Sequence, residues 1–229
     1  MNEFVQVIET GDGSHSLLNT AMNETYHSRH GALRESEHVF IRHGLHAWME
    51  QHAAATEVRI LEVGMGTGLN VILTLREALR AAEKTFHYAT LEPHPLAQNI
   101  IAQLNYLSLL DGDNLEGYFN ELHQADWEED QPLARNFLLH KTKSTLQNFL
   151  AASAPYDVVY FDAFAPNKQA ELWEVPVLQK VADLMADGAI FVTYSAKGQL
   201  KRDLKAVGLS VETLDGPPGK AEMVRASKR

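Results

Sequence analysis

The stretch VRILEVGMGTGLN, residues 58–70, runs from an apolar segment into glycines at 64, 66 and 68 and then into a helical pattern. A β-rich run, a glycine turn and a helix together form the start of a β-α-β unit. Glycine lets such a turn be tight and lets a ligand come against the backbone, while the first helical turn leaves N–H groups free. Outward from this point strand and helix patterns alternate. Strands are predicted at 58–63, 86–92, 136–142, 156–162 and 189–195. Helices are predicted from the glycine loop to about residue 82, and at 95–110, 170–186 and 197–207. Residues 116–135 keep no steady period and read as loop with short pieces.

LSVETL and AEMVRA flank DGPPGK and read as an antiparallel hairpin at the C-terminus. Upstream, EHVFIRHGLHAWMEQHA sets Val39, Phe40, Leu45, Trp48 and Met49 at helical spacing. Residues 1–55 are therefore expected to form a small N-terminal cap on a domain spanning 56–229. The fold class is α/β: a Rossmann-like, mostly parallel seven-stranded sheet covered by helices on both faces and finished by the antiparallel hairpin, as in class I methyltransferases.

The chain of 229 residues, 45% hydrophobic, suffices for one α/β domain with a sizeable core. No stretch approaches the roughly 18 apolar residues of a membrane span, and the N-terminus lacks a basic start followed by an apolar run. No membrane partner and a cytoplasmic location are expected. The absence of cysteine excludes disulfides, thiolate metal sites and a cysteine nucleophile. The eleven histidines are read as surface or structural. His43 and His46 have a metal-compatible spacing, but no third ligand is implied, and no metal is expected. The net charge of −10 is uneven. From residue 197 onward eight Lys or Arg face four acids, leaving −14 on the remainder. A local basic face on an acidic protein is able to grip phosphates.

Two cofactor types use a glycine loop of this kind. Dinucleotides favour G-x-G-x-x-G, with pyrophosphate on the helix N-terminus. Here the spacing is G-x-G-x-G, and Glu62 within the strand suits a cation and would repel pyrophosphate. Both features favour S-adenosylmethionine. Glu92, ending the second strand, suits ribose hydroxyls in either case. The second feature is DAFAPNK (162–168), after the buried run YDVVYF. In open α/β sheets ligands sit beyond the carboxyl ends of strands. Asp162 is placed there to orient an amine and accept its hydrogen bond. Phe164 is placed to cover a substrate ring, and Pro166 to stiffen the loop. Ser195, after the fifth strand, is either a substrate contact or a strand-end hydrogen bond.

LEVGMGTGLN, YFDAFAPNKQAELW, TYSAKGQLKRDLKAVGL and GPPGKAEM, with YHSRHGALRESEHVFI upstream, resemble the methyltransferase domain of the bacterial tRNA enzyme that makes 5-methylaminomethyl-2-thiouridine at the wobble position. The resemblance covers most of the chain, from about Tyr26 to Met223. It implies S-adenosylmethionine as cofactor, tRNA as partner, and methylation of the exocyclic amine of 5-aminomethyl-(2-thio)uridine. The FAD domain of bifunctional relatives has no counterpart fingerprint in this chain. Carried across, the resemblance gives Gly64, Gly66, Gly68 and Asn70 the methionine end of the cofactor and Asp162 the target amine. Phe164, Pro166, Lys168 and Trp173 would shape the loop, with Tyr26, Gly31 and Glu35 near the cofactor and Lys220 on a phosphate.

Three departures stand out. Ala221 replaces the Arg that often follows the Gly-Lys pair, Ala170 stands where relatives tend to have Pro, and HKTKS offers no acid for the adenine amino group. Methylation of a small amine or a protein, and nicotinamide-dependent oxidoreduction, stay open as alternatives.

Overall fold

The computed structural model describes residues 4–110, 114–151 and 155–229, so residues 1–3 of the expected cap lie outside them. The described chain opens with a three-stranded antiparallel sheet of β1 (Val5–Glu9), β2 (His15–Asn19) and β3 (Glu24–Thr25). A helix follows in three consecutive stretches: α1 (Ala32–Ser36), a π-helical stretch (Glu37–His46) and α2 (Ala47–Gln51). Its buried stripe of Val39, Phe40, Ile41, Leu45 and Trp48 shares one core with Ile60, Tyr160 and Val192. A Cβ on Gly44 would lie 2.9 Å from Val192 Cγ2 and 3.1 Å from Tyr160 Cε1, so the helix backbone rests directly on those side chains. Within residues 1–55 the small sheet and the helix therefore pack differently, and the helix belongs to the main core.

The remaining elements are β4 (Glu57–Val63), α3 (Leu69–Arg80), β5 (Thr85–Leu91), α4 (Gln98–Ile101), α5 (Tyr106–Leu109), α6 (Glu116–Gln124), β6 (Asp130–Ala134), β7 (Phe137–Thr142), β8 (Tyr156–Phe161), α7 (Val175–Leu184), β9 (Met185–Thr193), α8 (Gly198–Ala206), β10 (Ser210–Asp215) and β11 (Glu222–Ser227). The central sheet runs β10-β11-β9-β8-β4-β5-β7-β6. Its middle pairs, from β9 through β7, are parallel, and both edges are antiparallel. Successive side chains feed opposite layers. Val58, Ile60, Val158 and Tyr160 pack with the π-helical stretch and α3, while Leu61, Val63, Val159 and Phe161 pack with α7 and α8.

The sheet has eight strands rather than the seven expected. The addition is β6, drawn from the stretch without clear period. It pairs with the sheet edge through an irregular register at Pro132 and Ala134, where proline is tolerated. The helix expected over 95–110 is instead α4 and α5. Between them Asn105 spends its side chain on the small sheet, donating to Gly13 O at 2.8 Å and accepting from His15 N at 2.7 Å. The helix expected over 170–186 becomes a 3₁₀ turn (Ala170–Leu172) and α7, which carries Pro176 in its first turn, where the missing N–H costs nothing. β9 then begins at Met185, before the predicted 189.

Chain order reverses at β4, whose neighbours are β5 and β8. That switch point is where a parallel sheet opens a crevice beyond its carboxyl ends.

Candidate active site

The glycine loop leaves β4 at this switch point, and Asp162 leaves β8 beside it. Asp162 N donates to Val63 O at 3.0 Å. Gly64 has φ +93°, and a Cβ there would fall 2.7 Å from Asp162 O. The two motifs are thus in backbone contact. Gly66 (φ +49°) lets the loop pass under Tyr26, and Gly68 (φ +74°) begins α3 in the left-handed region. Such backbone favours glycine.

Both motifs open onto one cavity of about 520 Å³. Gly64, Met65 and Gly66 form its floor, and Leu91, Glu92 and Pro93 line one side. Ser144, Thr145 and Leu146 follow β7, while Asp162, Ala163 and Phe164 follow β8. The small N-terminal sheet contributes Phe4, Val5, Asn19, Ala21 and Met22. Tyr26 and Phe164 meet edge to face at 5.1 Å across this wall.

Glu92 accepts from Gly66 N at 3.0 Å and His94 N at 2.9 Å, which fixes its carboxylate beside the loop. Burial raises its pKa, and those amides oppose the rise. Asn70, on the first turn of α3, donates Nδ2 to Asp162 Oδ2 at 2.9 Å. Burial pushes the Asp162 carboxyl well above its usual range; Glu35 and Glu62 add to the shift, while Asn70 and Lys220 counter it. A carboxyl with a raised pKa at a cavity wall is suited to take a proton from a neighbouring group.

Glu62 has no exposed surface and no place on the cavity wall. Thr90 Oγ1 donates to its Oε2 at 2.6 Å, while Oε1 has no protein partner among the described residues. Burial raises its pKa to about 7. Behind Asp162, Glu35 accepts Ser28 N at 2.8 Å and Lys220 Nζ at 2.5 Å. Lys220 also stands 3.8 Å from the Tyr194 ring centroid, and Tyr194 OH donates to Ala163 O at 2.9 Å.

The predicted residues thus divide by position. Gly64, Gly66, Glu92, Asp162 and Phe164 line the cavity. Asn70 holds Asp162 from behind. Trp173 is buried and donates Nε1 to Phe164 O at 2.8 Å, so it braces the loop from the core. Lys168 Nζ donates to Met22 O at 2.9 Å and Asn23 O at 3.2 Å, pinning the loop to the small sheet. Pro166 lies in the turn closed by Lys168 N donating to Ala165 O. Ser195 is buried, off the cavity, with its N–H on Thr193 Oγ1 at 3.4 Å. Lys220 is held by Glu35. His46 is taken by Glu77 at 2.8 Å, and His43 packs on His38.

Sequence reasoning did not find the wall supplied by the small N-terminal sheet and its turn, nor Thr145, and it reached Ser144 only as part of the acid-free HKTKS stretch. Strand period identifies neither, because both lie in loops or on a short sheet placed by tertiary contacts.

Residues 131–229 match a family described as S-adenosyl-L-methionine-dependent methyltransferases. Over 223 residues, 91% of this chain, the sequence is 30% identical to the tRNA 5-methylaminomethyl-2-thiouridine biosynthesis bifunctional protein MnmC of Burkholderia multivorans. The chain spans 33% of that relative's length. Among solved structures, MNMC2 from Aquifex aeolicus is similar with TM-score 0.77 and 22% identity, over 97% of this chain and 70% of that one. Spermidine synthase from Thermotoga maritima superposes with TM-score 0.58 and 14% identity, over 97% of this chain and 68% of that one. No helix among the described residues is long and apolar enough to cross a membrane. The chain carries the class I methyltransferase fold, matches the S-adenosyl-L-methionine-dependent methyltransferase family over residues 131–229, and is similar over nearly its whole length to about a third of the bifunctional MnmC protein.

Proposed function

We propose that this chain methylates the exocyclic amine of 5-aminomethyl-(2-thio)uridine at the tRNA wobble position, in the cytoplasm, with S-adenosylmethionine as donor. The observation that carries the reading is the backbone contact between Gly64 and Asp162, which brings a glycine cradle and a raised-pKa carboxyl into one cavity. The residues present fit the cofactor. Gly64 and Gly66 line the cavity with bare backbone that a ligand can approach closely, and Glu92 offers a fixed carboxylate for hydroxyls. Leu91, Pro93 and Leu146 offer an apolar side for a flat ring, with Ser144 and Thr145 as polar neighbours in place of an acid.

When bound, S-adenosylmethionine supplies an electrophilic methyl carbon on a cationic sulfur. The protein's part is alignment and proton handling. Asn70 fixes one carboxyl oxygen of Asp162, so Asp162 presents a defined acceptor to an amine nitrogen. That contact aims the lone pair, and the raised pKa lets the carboxyl hold the proton the amine sheds. Tyr26 and Phe164 offer aromatic surface for a splayed base, the usual way a single-stranded base is gripped.

The test is transfer of labelled methyl into tRNA from cells lacking this modification. Wild type should label it, and Asp162→Ala should lose transfer by at least 100-fold while binding S-adenosylhomocysteine nearly as well. Unimpaired transfer by the variant, or labelling of small amines alone, would refute the reading.

A further inference from the structure

The exposed guanidinium groups of Arg29, Arg34 and Arg42 have no carboxylate partner among the described residues. Most acids near them already have partners. Asp12 accepts from Thr10, Ser14 and the Arg34 amide. Glu37 pairs with Arg76 at 2.6 Å, Glu35 with Lys220, and Glu212 with Arg225 at 2.7 Å. Asp215 is an exposed acid on this side whose carboxylate has no side-chain partner among the described residues, and its backbone carbonyl takes His38 Nε2 at 2.8 Å.

The three arginines lie on one side: Arg29 O accepts from Gly11 N, and the next residue, Asp12, accepts from Arg34 N. Arg34, His38 and Arg42 recur every fourth residue along the same helix. The β10–β11 turn packs against it: a Cβ on Gly219 would fall 2.0 Å from the His30 ring. At the far end His43 lies within electrostatic reach of Arg42 and Arg225. The face also connects to the residues that back the active site. Lys220, next to Gly219, reaches Glu35 and the Tyr194 ring, and Tyr194 is bonded to Ala163 beside Asp162. The basic side chains of α8 are placed differently. Lys201 is paired with Glu222, Arg202 is bonded to Gln199, and α8 covers the opposite layer of the sheet.

We propose that the face made by Arg29, Arg34 and Arg42 is where the phosphodiester backbone of the substrate RNA docks. The inference rests on the RNA reading above. Unpaired guanidinium groups on an otherwise acidic surface supply the sequence-independent grip and the fixed approach that phosphate contacts give. The C-terminal basic segment, despite its composition, contributes through the β10–β11 turn and not through α8.

The experiment is a salt titration of tRNA binding. It compares wild type, the triple variant Arg29→Ala/Arg34→Ala/Arg42→Ala, and the α8 pair Lys197→Ala/Lys205→Ala, one at the helix N-cap and one in its last turn. Each released contact removes about 0.7 from the slope of log affinity against log salt on single-stranded RNA. The triple variant should lose about 2 in slope and about 100-fold in affinity at 0.1 M salt. Its S-adenosylhomocysteine affinity should be unchanged, which reports an intact fold. The α8 pair should bind like wild type. A triple variant with the wild-type slope, or an α8 pair that loses as much, overturns the proposal while leaving the RNA reading standing. A wild type that neither binds nor methylates tRNA overturns both.

Discussion

Replacing Glu62 by Gln should make the protein more stable at pH 8 than at pH 5, relative to wild type. Glu62 sits in the core beneath the glycine loop, fully buried, and burial lifts its pKa from the ordinary 4.5 to about 7. A group whose pKa is higher in the folded state binds its proton more tightly there. Its stability contribution is therefore full below about pH 4.5 and is lost as pH rises through 7. At 1.36 kcal/mol per pKa unit, the limiting loss is about 3.4 kcal/mol, of which about 2.5 falls between pH 5 and 8.

Glutamine has the same shape, stays neutral, and keeps an acceptor for Thr90 Oγ1. Its amide adds a donor among the unpartnered Asn70 Oδ1 and Tyr88 OH. The variant lacks this pH-dependent loss. Asp162 and Glu92 also have raised pKa values, but they are present in both proteins and largely cancel in the difference. The neutral side chain further relieves Asp162 of the Glu62 charge, which acts in the same direction. The assay is urea unfolding by circular dichroism at pH 5 and 8, without cofactor. The stability difference, variant minus wild type, should grow by about 2–3 kcal/mol between the two. An equal difference at both pH values would refute a core carboxyl that charges only when pH passes neutrality.

Two further outcomes follow from close backbone approaches. Gly64→Ala places a side chain at φ +93° and against Asp162 O, so it should cost about 1–3 kcal/mol and reduce cofactor affinity; unchanged thermal melting and S-adenosylhomocysteine calorimetry would contradict the contact. Gly44→Ala drives a methyl into Val192 and Tyr160 and should cost about 1–3 kcal/mol by overpacking, with cofactor affinity retained; an unchanged melting temperature would show that the π-helical stretch does not rest on the sheet.

The parallel sheet was legible because its middle strands are buried on both faces and read as unbroken apolar runs, as in VRILEV and YDVVYF. The left-handed glycines were legible because the conformations at Gly64, Gly66 and Gly68 strongly favour that residue. β6 was not, because a five-residue edge strand containing Pro132 carries too little period to stand out. The break between α4 and α5 was not, because Asn105 is neutral in a local pattern and decisive only against Gly13 and His15, about 90 residues away. The roles of Trp173 and Lys168 were legible as loop-shaping, but not their direction: one holds the loop from the core and the other from the small sheet.

The same distinction explains how the site is built. Residues that line the cavity are few and local to strand ends, so motifs reveal them. The residues that set their chemistry lie behind the wall. Asn70 on α3 fixes Asp162, Glu62 on β4 charges the space beneath it, and Lys220 reaches it from a turn 58 positions further along the chain. Each contact depends on the β4–β8 adjacency created by the chain reversal at the switch point. A variant that slipped the register of β8 by one residue would turn Asp162 to the other face and separate it from both Asn70 and the loop. Strand pairing here is therefore part of the proposed catalytic apparatus, since it alone brings the carboxyl of one strand end to the glycine turn of the next.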